Sequence, residues 1–162
     1  MSGDDKKTLL AMLRDHLASE LERSTRIARD AADAVTHEDN RPEGDKDMRS
    51  TEASYVARGQ SERVREIEHA MLKLAAMPLR NFSPDDSIEV SALIDVENEK
   101  GTTTYWLVPA AGGERLALAN QPIVTLTTTS PLGRALLGLV AGDDAEVATP
   151  QGMRSYAISR VR

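Results

Sequence analysis

Two apolar stripes, each one residue wide, constrain this chain more than any other feature. Leu10, Leu13, Leu17, Leu21, Ser24, Ala28, Ala31 and Val35 recur at intervals of three or four. Ala53, Val56, Gln60, Val64, Ile67, Met71 and Leu74 do the same. A stripe that narrow is a coiled-coil seam, and one helix cannot bury it alone. Paired as an antiparallel hairpin, residues 10–21 lie opposite 64–74, and Ser24, Ala28 and Ala31 lie opposite the Ala53 end. The seam is then bulky at its base and thin toward its tip. Arms of about 30 residues reach about 45 Å at about 1.5 Å per residue. A dimerisation hairpin or four-helix bundle is the plainer use of such a pair.

The stripes are separated by THEDNRPEGDKD, residues 36–47, where Pro42 and Gly44 stop the helix. Glu38, Asp39, Glu43, Asp45 and Asp47 crowd this tip with carboxylates that repel one another. A divalent cation relieves such repulsion, and Mg²⁺ is a hard ion that takes oxygen ligands. His37 beside Glu38 could hold a transition metal, although such pairs arise often by chance. Arg23, Arg26 and Arg29 belong to a solvated outer face. The formal charge of −6 disfavours sequence-independent nucleic-acid binding, which depends on Lys and Arg. With no cysteine, disulfides and thiolate metal sites are excluded. No apolar run approaches the roughly 20 residues that cross a bilayer. MSGDDKK leads directly into the first stripe without an apolar signal core. The expectation is a cytoplasmic protein with no membrane partner.

Near Pro78 the pattern changes from helical spacing to short β-rich runs, which predicts a helical hairpin over 1–78, with its tip at about 36–50, and a second domain over 79–162. Ile88, Val90, Ala92, Ile94 and Val96 alternate with polar residues and predict a half-buried strand. NEKG turns into TTTYWLV, AGGE turns again, and PIVTLTT is a further strand. SPLGRALLG reads as a short helix, with Ser130 as N-cap, Pro131 in the first position and Gly138 past the end. AEVAT and MRSYAISRV complete a sheet of four to six antiparallel strands crossed by one helix, an α+β architecture. No nucleophile–base set stands out, so the chain is read as having no catalytic activity of its own. Phe82, Tyr105, Trp106 and Tyr156 are scattered over different elements, unlike a prolyl-isomerase pocket.

From Ser130 onward, SPLGRALLGLVAGDDAEVATPQGMRSYAISRV resembles the C-terminal domain of the Gre-family (GreA/GreB-like) transcription elongation factors. Ser130, Pro131, Leu132, Leu136, Leu137, Gly138, Asp143, Thr149, Pro150, Gly152 and Tyr156 carry the likeness. The family's other half is an antiparallel helical hairpin, in agreement with the seam above. The resemblance implies an FKBP-like C-terminal fold and bacterial RNA polymerase as partner, with nucleic acid contacted only through that complex. It also implies that the hairpin enters the polymerase's secondary channel and modulates elongation. In the family, tip acids help hold a magnesium ion shared with the polymerase, which then cleaves its own backtracked RNA. No tightly bound cofactor is implied.

The family's tip carries an acid-x-x-acid pair shortly before an Ala-x-Tyr step. Ala53-Ser54-Tyr55 matches that step, and an ungapped count places the acidic positions on Met48 and Thr51. Glu38, Glu43, Asp45 and Asp47 are therefore the candidates for the polymerase active centre, with Asp45 and Asp47 as metal ligands within the complex. Three readings follow for the tip: it stimulates cleavage, it regulates in the channel without cleavage, or it merely solubilises a self-associating coiled coil unrelated to transcription.

Overall fold

The computed structural model describes the backbone of residues 3–39 and 47–162 and the side chains of 4–37 and 48–162. Two long helices come first, α1 (Gly3–Asp39) and α2 (Asp47–Ala75). Then follow β1 (Leu93–Asn98), β2 (Gly101–Val108), β3 (Arg115–Leu118), β4 (Gln121–Thr127), α3 (Pro131–Leu136), β5 (Asp144–Thr149) and β6 (Gly152–Val161). The chain forms two compact units. One is residues 15–71, and the other joins 1–14 to 72–162. The shift in composition near Pro78 thus lies inside the second unit.

In the helical unit, Leu17, Ser24 and Ile67 are buried. Leu21, Ala28, Ala31 and Val35 on α1 are half-buried, as are Ala53, Ala57, Gln60 and Val64 on α2. Arg63 reaches from α2 to α1 and donates from Nη2 and Nε to Glu20 Oε1, at 2.6 and 2.9 Å. That pairing agrees with the expected antiparallel register. The seam differs from expectation at one position here: Val56 is 42% exposed, and Ala57 takes the inward place. A spacing of three or four permits either residue, and the helix's drift around its axis selects one. The same ambiguity arises in the other unit, where Leu9 is buried and Leu10 only half-buried.

The second unit is built on one six-stranded sheet in the order β3-β4-β2-β1-β6-β5. All neighbours pair antiparallel except β2 and β4, which run parallel from Thr104↔Ile123 to Val108↔Thr127. The fully antiparallel sheet read from the sequence is corrected here. After β2 the chain passes over one position, returns as β3 at the edge, and fills the gap with β4. The strand expected over 88–96 is also shorter, beginning at Leu93. Ser91 has φ 77°, outside any strand conformation. Ile88 instead bonds α3's exit: its N–H donates to Leu139 O (2.8 Å) and its carbonyl accepts from Gly138 N (2.9 Å). Alternation there reports burial without pairing.

α3 covers one face of the sheet, closing a core of Ile88, Ile94, Val96, Leu107, Leu136 and Ile158, among others. Phe82, Tyr105 and Tyr156, far apart in sequence, all pack against this core. Leu93, Trp106, Val108 and Ile123 are fully buried too, as are Leu9, Leu13 and Leu74 in the same unit. A polar chain crosses the sheet. Arg162 Nη2 donates to both Asp95 oxygens (2.6 and 2.7 Å), Thr104 Oγ1 donates to Asp95 Oδ1 (2.7 Å), and Gln121 Nε2 donates to Thr104 Oγ1 (3.1 Å).

Candidate functional site

The acidic candidates stand at the junction of α1 and α2. Glu43 and Asp45 lie outside the described residues. Glu38 and Asp47 belong to the helical ends of α1 and α2, but their side chains lie outside the described set. What can be placed is the start of α2. Because the helix already runs from Asp47, Met48, Thr51 and Tyr55 fall on one face, three and four residues apart. Met48 is 86% exposed and Tyr55 71%. Among the described residues the helix is regular through Met48 and Thr51. A thioether and a hydroxyl do not suit Mg²⁺, which favours charged oxygen ligands. Those two positions therefore do not fit a metal.

Below this end, α1 presents Arg26 and Arg29 beside Leu21, Glu22 and Thr25 around a shallow groove. Arg23, Arg26 and Arg29 are all exposed, as a solvated face requires. The ion pair to Glu20 raises Arg63 above its ordinary value, chiefly through the hydrogen bond, and Glu66 adds to this (3.2 Å).

Lys6 in the second unit was not expected to be inside. It is 2% exposed and donates to the carbonyls of Arg80 (2.5 Å) and Arg162 (3.0 Å). Its ammonium also lies 4.7 Å from the centre of the Phe82 ring. Burial, reinforced by the Arg162 and Arg80 charges, lowers its pKa to about 8. The sequence did contain a signal: Lys6 lies three residues before Leu9 and seven before Leu13, on the inward stripe. Burial also raises Tyr105, with Tyr156 adding to the effect.

Several residues of the motif from 130 to 156 have backbone duties. Ser130 Oγ accepts from Gly133 N–H (3.0 Å) and donates to Thr127 O (2.8 Å), as an N-cap should. A Cβ on Gly133 would lie 1.9 Å from Thr127 O, so only glycine fits. Gly138 has φ 81° at the helix exit. Asp143 Oδ2 accepts from Val140 N (2.9 Å), and Thr149 Oγ1 donates to Gly152 O (2.7 Å). Ser130, Gly133, Gly138, Asp143 and Thr149 thus each serve the backbone of the fold.

Residues 83–162 match the family model described as "Transcription elongation factor, GreA/GreB, C-term". The C-terminal half of the chain is thus similar to the C-terminal domain of the GreA/GreB factors. Transcription elongation factor GreA of Hyphomonas neptunium is 41% identical over 68 residues, 42% of this chain and 38% of that protein. GreA of Rhodospirillum rubrum is 28% identical over 102 residues, 62% of this chain and 60% of that protein. The matched stretches thus span between 38% and 60% of those two Gre relatives' own length. The solved structure of Gfh1 from Thermus thermophilus superposes with a TM-score of 0.36 at 18% identity, over 92% of this chain and 94% of that one.

Proposed function

We propose that this chain is a Gre-type, RNA-polymerase-binding transcription factor whose paired helices enter the secondary channel and whose acidic end modulates elongation there. One observation carries the reading: a GreA/GreB domain stands in the same chain as two long helices joined by a run of carboxylates. The chain contributes position and charge, and the polymerase retains the chemistry. Regulation without cleavage is favoured over stimulated cleavage, because an ungapped count back from Ala53-Ser54-Tyr55 puts Met48 and Thr51, not acids, at the paired positions. If Mg²⁺ is shared with the polymerase, Asp45 and Asp47 are its ligands from this chain.

The test uses the full chain with bacterial RNA polymerase. It is expected to be retained by the polymerase and to change pausing of an elongation complex. Cleavage in a stalled complex should stay at the polymerase's own level. Replacing Asp45 and Asp47 together by Ala should diminish the pausing effect and leave retention intact. Absence of retention ends the reading. Stimulated cleavage that disappears in the double variant would replace regulation by cleavage.

A further inference from the structure

β6 is longer than the strand beside it. It pairs with β5 along its first half, from Thr149↔Gly152 to Asp144↔Ala157, but meets β1 only from Glu97↔Ala157 onward. β1 leaves the sheet at Asn98 and turns back as β2. Along an antiparallel strand, backbone groups point alternately to the two neighbours. Ile158 faces β5: its N–H donates to Asp143 O (2.9 Å) and its carbonyl accepts from Gly142 N (2.8 Å). Counting back by twos, Tyr156, Arg154 and Gly152 also face β5. Ala157, Ser155 and Met153 face the other way. Ala157 meets Glu97, whereas Ser155 and Met153 have no strand opposite.

The N–H and C=O of these two residues therefore open into a notch. It is a cavity of about 280 Å³, with Asn98, Glu99 and Lys100 on one side and residues 153–156 on the other. Asn98 Oδ1 accepts from Lys100 N–H (2.8 Å) and fixes the turn that forms its wall. Met153 is 64% exposed beside it. Lys100 and Arg154 on the lining form no ion pair among the described residues, and Glu99 is its one carboxylate.

We propose that this notch accepts an extended, acidic peptide segment of a partner protein as one further short strand. An open strand edge is satisfied by another backbone, and the side chains around it select which one. Two cations against the one carboxylate of Glu99 select acidic residues, and Met153 offers an apolar contact. The strand is short, so the docking is weak and its specificity electrostatic. None of this depends on the polymerase reading.

The test uses the ¹⁵N-labelled full chain with two capped heptapeptides, one alternating Val with Asp, the other Val with Lys. The Asp peptide should shift the Met153 and Ser155 amide resonances and slow their exchange. The Lys peptide should bind at least about fivefold more weakly. Ser155→Pro removes one N–H that faces the notch and none that faces β5, and should weaken binding about fivefold or more. Lys100→Glu combined with Arg154→Glu leaves the backbone untouched and should reverse the preference between peptides, so the proposal does not depend on the proline variant folding. It is overturned if neither amide responds to millimolar Asp peptide, or if both peptides bind alike. It is also overturned if a folded Ser155→Pro chain binds unchanged. Concentration-dependent protection of the same amides without peptide would assign the edge to a second copy of the chain, and would equally overturn it.

Discussion

Along the helical unit burial fades: Leu17 and Ser24 are 2% and 4% exposed, whereas Ala28, Ala31 and Val35 are only half-buried. In the sheet unit it does not fade: Ile88, Ile94, Leu107 and Leu136 are each 0% exposed. The two regions also use different parts of their residues. The seam is a sum of side-chain contacts and can be strong at one end and weak at the other. The sheet unit is fixed by backbone devices, such as the cap at Ser130 and the close approach at Gly133, that either fit or fail. A helix pair can therefore be tuned residue by residue, while a sheet closed by turns tolerates little change at its corners.

The sharpest way to break this comparison is Gly133→Ala. Its Cβ would meet a backbone oxygen that cannot move away, so the sheet unit should lose about 3 kcal/mol or more. Trp106 fluorescence in a urea titration reads it, and a loss under about 1 kcal/mol would show that the corner is soft. A gradient within the seam comes next. Leu17→Ala should cost about 3 kcal/mol and Val35→Ala less than about 1 kcal/mol, followed by helical circular dichroism. Equal costs would mean that the taper in burial is not a taper in energy.

A further effect concerns Lys6. Its pKa is lowered from 10.5 to about 8, chiefly by burial. Between those values the unfolded chain holds a proton that the folded chain has released. Stability should therefore rise as pH is raised from about 8 toward 10.5, and level off beyond. Lys6→Met should flatten that rise in denaturation measured at pH 8 and pH 10. A variant with the original slope would place the lysine's charge in water.

Much of this architecture is written locally. A period of three or four residues specified α1 and α2. Pro42 and Gly44, expected to stop the helix, lie outside the described residues. Ser130, Pro131 and Gly138 framed α3, because capping and left-handed backbone are demands that only a few residue types meet. The candidate site was legible as composition, a run of acids between two helices. The exposure of Met48 and Tyr55 followed only from the helix beginning at Asp47.

What periodicity left undecided, packing settled. Leu9 rather than Leu10 and Ala57 rather than Val56 turn inward, because neighbouring residues on one helix offer nearly the same spacing. The parallel β2–β4 pair, the irregular stretch before Leu93 and the enclosure of Lys6 each depend on partners far away in sequence. Apart from the stretch before Leu93, the chain alone determined which segments are helix, strand and turn, since those choices rest on each residue's own backbone and side-chain preferences. Which strand lies beside which, and which polar group ends up inside, was decided only by the tertiary structure, because pairing and burial are properties of contacts that no local pattern contains.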